Sequence, residues 1–139
     1  MAGGENNKTH CQHSFVGGGY LNNSCGNCSF VGGGKGNLVC NTRSVIVGGE
    51  CNSSRGLNSS VMNGYCNRAS GNSSFVGGGS CNFADGSSAF IGNGSRNQAT
   101  ANSSTVVNGA YNYSHGNCAF IGGGSQNQNS APHSFLVGS

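Results

Sequence analysis

The most reactive side chains in this 139-residue sequence are eight cysteines, four histidines and three carboxylates. The densest group is Cys25-Gly26-Asn27-Cys28, with Cys40 following. A C-x-x-C pair can hold zinc or run thiol–disulfide exchange, but a closed zinc site needs four ligands, and no histidine falls at a spacing that would complete this one. His10, His13, His115 and His133 could act as bases, yet Glu5, Glu50 and Asp85 are the only carboxylates and none is placed to orient an imidazole. The histidines therefore read as exposed turn residues. No catalytic residue, metal ligand set or cofactor is expected, and the chain reads as a non-enzyme.

A further candidate is the glycine triplet in HSFVGGGYLN, residues 13–22, which could cradle phosphate on its backbone. Neither a Lys-Ser/Thr pair nor a helix pattern follows it. Aligned in rows of fifteen, the sequence gives the triplet another meaning. Val16, Val31, Ile46, Val61, Val76, Ile91, Val106, Ile121 and Leu136 fall in one column. Asn22, Asn37, Asn52, Asn67, Asn82, Asn97, Asn112 and Asn127 fall in a second, and a glycine precedes each asparagine by three places, from Gly19 to Gly124. A motif met once can be a site, but one repeated at constant spacing is a unit of architecture. The triplet thus reads as a turn. The asparagines read as scaffold, either hydrogen-bonded in a stack or accommodating a left-handed backbone.

Fifteen residues with two turn signals cannot hold a useful helix, but they suit two short strands per coil of a parallel β-solenoid. Residues 1–13 form a partial opening coil, 14–133 eight repeats, and 134–139 a partial closing coil. Phe15, Phe30, Phe75, Phe90 and Phe120 are each followed two places on by glycine. Where Phe gives way to Val45, Ser60 or Thr105, the glycine gives way to Val47, Met62 or Val107; only Phe135 with Val137 breaks the rule. Residues two apart share a face only in an extended strand, and a conserved joint volume marks close packing. The Val/Ile column between them points the other way. A strand apolar on both faces needs cover on both: one from the coil's own interior, where Ala69, Ala84 and Ala99 leave little room, the other from identical chains.

The pattern S-[F/V]-[V/I]-G-G-G-x-x-N-x-[A/S]-x-G-x-x resembles the head repeats of trimeric autotransporter adhesins, and related repeats occur in phage and large-virus fibre proteins. The resemblance runs from Gly3 to Gly138. It implies an all-β fold, a left-handed parallel β-roll with three chains wrapped round a common apolar axis, used as the shaft or head of an adhesive fibre. The usual adhesin repeat is shorter by one residue and carries Ile where this one often has Gly. No secretion leader, coiled-coil stalk or membrane anchor is recognisable, which points to a virion surface or extracellular fibre of a virus or phage.

Composition narrows the partners. Charged residues are 6% of the chain and the net charge is +3, with Lys8, Lys35, Arg43, Arg55, Arg68 and Arg96 scattered rather than striped, so no nucleic acid is expected. No apolar run is long enough to enter a membrane. The expected partners are two identical chains and a host-surface glycan or protein. Such contacts should fall on the variable turn residues Tyr20, Lys35, Glu50, Tyr65, Arg96, Tyr111 and Tyr113. An ice-binding solenoid and a self-stacking filament are the alternatives. The cysteines follow the columns too: Cys51, Cys66 and Cys81 share one, Cys25 and Cys40 another, Cys28 and Cys118 a third. Free thiols are favoured over vertical disulfides, because side chains in parallel register point the same way.

Overall fold

The computed structural model describes residues 3–139. Among them are no helices, and the chain winds into coils that stack along one axis as a β-solenoid. Each coil contributes a two-residue strand to each of two nine-stranded parallel sheets. The first sheet stacks Phe15–Val16 at one end to Phe135–Leu136 at the other, and the second runs from Lys8–Thr9 to Gln128–Asn129. Every strand pairs with the residues one coil away, Phe15 with Phe30 and Val16 with Val31, and this fifteen-residue register never slips. A coil rise of about 4.8 Å follows from the spacing of paired strands.

A third ladder, of single bridged residues, runs between the two sheets. It links Glu5, Tyr20, Lys35, Glu50, Tyr65, Ser80, Ser95, Ala110 and Ser125. The coil is therefore three-sided. Along these sides backbone N–H groups point to the following coil, as in Phe15 N to Ser29 O at 2.9 Å and Tyr20 N to Gly34 O at 2.9 Å.

Two corners per coil reverse that direction. Leu21 and Cys28 have φ of 57° and 54°, and so do their column mates, including Cys51, Arg96 and Tyr111. At these left-handed residues the N–H turns back to the preceding coil: Leu21 N to Glu5 O at 3.1 Å, Cys28 N to Gln12 O at 3.0 Å. The left-handed conformation costs a non-glycine residue about 1–2 kcal/mol, and the recovered hydrogen bond offsets part of it.

The interior is one side chain wide. The Val/Ile column from Val16 to Ile121 is fully buried, and it faces Ser24, Val39, Ser54, Ala69, Ala84, Ala99 and Ser114, also buried. Leu136, in the last rung, is only partly covered. Burying one Val or Ile per coil contributes about 1.5–3 kcal/mol each, so the core is long rather than deep. Interior serines are satisfied locally: Ser24 meets Ser29 and Ser54 meets Ser59, hydroxyl to hydroxyl, at 2.6 Å. Ser74 has Ala69 in that place, and its hydroxyl has no partner.

Candidate functional site

The asparagine column lies between the corner ladder and the second sheet. The Asn22 side-chain nitrogen donates to the Gly18 carbonyl of its own coil at 3.0 Å and to the Gly34 carbonyl of the next at 2.8 Å. Its side-chain oxygen accepts the Asn37 backbone N–H at 3.0 Å. The same three bonds recur at Asn37, Asn52, Asn67, Asn82, Asn97 and Asn112. All of these asparagines are buried. Of the two roles expected for the column, the amides carry the stack, while the left-handed backbone belongs to the residue before each asparagine.

This arrangement accounts for the glycine column as well. Gly19 has φ +87°, and a Cβ there would lie 2.1 Å from the Gly34 carbonyl and 2.7 Å from the Asn22 amide nitrogen. The carbonyls of the triplet face the asparagine clips, and the turn is consumed in holding one coil to the next.

The Phe–Gly pairing also has a direct geometry. A Cβ at Gly17 would stand 3.4 Å from the Phe15 ring, so the ring lies back across the glycine. The rings then stack between coils, Phe15 on Phe30 at 5.5 Å, Phe75 on Phe90 at 5.3 Å and Phe120 on Phe135 at 4.5 Å between centroids. All of them point away from the interior. Phe15, Phe30 and Phe90 remain 42%, 37% and 39% exposed, and Val47 and Val107 continue the stripe where glycine is replaced.

The seven expected contact residues divide between two places. Tyr20, Lys35, Glu50 and Tyr65 occupy four consecutive rungs of the corner ladder. Lys35 Nζ meets Glu50 Oε1 at 3.2 Å between the two exposed tyrosines. Arg96 and Tyr111 lie one column over, at left-handed positions further along the same corner, with the guanidinium 5.3 Å from the tyrosine ring centre and hydrogen-bonded to its hydroxyl. Tyr113 was expected in a turn but is a strand residue, on the outward face of the second sheet, where its ring stacks on His115 at 5.9 Å. The side chain alternates with buried Ser114, so an outward tyrosine there fits a strand as well as a turn.

One constellation escaped the reading of the sequence. On the second sheet Arg68 clasps Asp85 with two bonds, Nε to Oδ1 at 3.0 Å and Nη2 to Oδ2 at 2.6 Å, while its guanidinium covers the Phe83 ring at 4.5 Å. Arg68 lies one coil from Phe83 and Asp85, and only the stacking signals their meeting. On the corner, Cys51, Cys66 and Cys81 form a vertical run at φ of 57°, 52° and 56°. All eight cysteines are free thiols. Burial pushes the Cys66 thiol up from its ordinary range, with a lesser opposing effect from the Tyr65 hydroxyl, and burial likewise raises Cys40 against the pull of Arg55. Hydrogen bonding to Cys66 in turn raises the Tyr65 hydroxyl.

Neither the family models nor the curated proteins yield a match to this chain.

Proposed function

We propose that this chain is a structural fibre segment, the shaft or head of a virus or phage attachment fibre, in which three copies with left-handed coils pack their first sheets around a shared axis. The observation that carries the reading is the apolar stripe on the outward face of the first sheet, exposed at Phe15, Phe30, Val47, Phe90, Val107 and Phe135 while the interior is already full. A sheet face of this kind asks for cover, and contiguous apolar area on a rod is best covered by the same surface of a neighbour. The resemblance of the repeat to trimeric adhesin heads supplies the number three and the handedness. Facing outward, the corner ladder from Tyr20 to Tyr65 is the surface for attachment to a host glycan or protein.

Native mass spectrometry tests the assembly: the expected species has three times the 13.9 kDa mass of the chain. A monomer that stays folded and soluble at micromolar concentration overturns the proposal, and an open series of larger species favours a self-stacking filament.

A further inference from the structure

Cys51, Cys66 and Cys81 occupy the same corner position in three successive coils. Their backbones are tied rung to rung, Cys51 N to Lys35 O, Cys66 N to Glu50 O and Cys81 N to Tyr65 O, each at 2.9 Å. The Cys51 thiol leans along the axis, its Sγ 3.8 Å from where a Cβ at Gly36, one coil below, would stand. The Ser80 hydroxyl donates to Cys81 Sγ at 3.7 Å. The Cys81 sulfur thus has a hydroxyl donor from the neighbouring ladder, the kind of outer contact that steadies a thiolate on a metal.

The spacing selects the chemistry. In-register Cβ atoms about 4.8 Å apart are wider than the roughly 3.5–4.5 Å that a disulfide needs. No three metal-ligating side chains converge on one point among the described residues, which sets aside a tetrahedral site. Two metal–thiolate bonds of about 2.3 Å laid end to end span about 4.6 Å, close to one coil rise, and soft monovalent ions such as Cu(I) favour thiolates.

We propose that the corner cysteines form a linear, two-coordinate site for a soft monovalent metal ion, bridging adjacent coils with Cys66 as the shared ligand. Binding forms two metal–sulfur bonds and releases the two thiol protons to solvent, with no change in oxidation state.

The test uses the full chain, reduced and under argon, with Cys11→Ala and Cys25, Cys28, Cys40 and Cys118→Ser to silence the other thiols. Serine already stands in the columns of Cys25 and Cys28, at Ser70 and Ser73, and alanine in that of Cys11, at Ala101. Titration with silver(I) alone, a redox-inert soft ion, should load one tight ion and release two protons per chain. Cys66→Asn doubles the gap between the remaining thiols and should weaken binding at least about a hundredfold, the usual scale of losing a linked second ligand. Cys51→Asn and Cys81→Asn each leave an adjacent pair and should stay within a few-fold of the parent. Asn6 shares this column, and so does Gly36, so Cys66→Gly supplies a second variant should circular dichroism reveal loss of fold. Equal weakening by all three single variants, tight binding that survives both Cys66 variants, or no tight site in the parent overturns the proposal.

Discussion

The two sheets share strand length, register and hydrogen bonding, yet their outward faces are finished differently. On the second sheet the outward phenylalanine, Phe83, is roofed by Arg68, which Asp85 holds in place, and all three residues are partly buried. On the first sheet the rings stack only on one another, and several keep more than a third of their surface in water. The fold can cover an aromatic with its own polar side chains, and does so on one side. The other side is left bare along the rod, and under the proposed assembly it is the surface that another chain covers.

Charge placed on each face is the sharpest way to break this comparison. Phe75→Lys with Phe90→Lys should reduce the assembly to single chains, because two ammonium groups would have to be desolvated at the shared axis. Gln98→Lys with Tyr113→Lys, on the second sheet, should leave the mass unchanged. Light scattering reads both. Equal masses for the two double variants would mean that the difference between faces has no bearing on association.

A smaller effect is expected where the second face finishes itself. Arg68→Ala removes a bidentate ion pair and uncovers the Phe83 ring, and should lower stability by about 1–2 kcal/mol. A double-mutant cycle with Asp85→Ala should return a coupling of about 1 kcal/mol, the upper part of the range for ion pairs with partly exposed partners. Chemical denaturation measures both. A coupling near zero would mean that Asp85 does not hold the guanidinium over the ring.

Each sheet also carries one orphaned hydroxyl, Ser53 on the second and Ser74 at the entrance to the first. Ala89 and Ala119 stand in the column of Ser74 without disturbing the ladder, so the backbone accepts alanine there. Ser74→Ala should therefore raise stability by about 1 kcal/mol, since an unpaired buried hydroxyl is removed and nothing is lost. Ser59→Ala is the control, because Ser59 donates to Gly56 O at 2.7 Å and pairs with Ser54; it should lower stability by a similar amount. A melting temperature that falls in both variants would contradict the assignment of Ser74 as unpaired.

The coils, the inward Val/Ile column and the Phe–Gly exchange were legible because each is a property of spacing. Residues fifteen apart stack, and residues two apart share a face. The corner ladder was not legible, since its rungs are joined by backbone bridges that ignore the side chains, and Tyr20, Lys35, Ser80 and Ala110 share no chemistry. The left-handed corners hid for a related reason. Glycine announces positive φ at Gly19, but Leu21, Cys66 and Arg96 do not, and only the reversed N–H direction gives them away. Tyr113 was misplaced because irregular side chains look alike in a turn and on a solvated strand.

The smallest expected effect lies on the corner ladder, outside both faces. Lys35 and Glu50 are 3.2 Å apart with 59% and 45% of their side chains exposed, so water screens their attraction. Lys35→Ala should change stability by no more than about 0.5 kcal/mol, and the change should shrink further in concentrated salt. The assembly mass should not move, in contrast to the Phe75/Phe90 variant. If this one exposed lysine instead dissociated the chains, the interface would have to include the corner, and the bare face of the first sheet would no longer suffice to explain association.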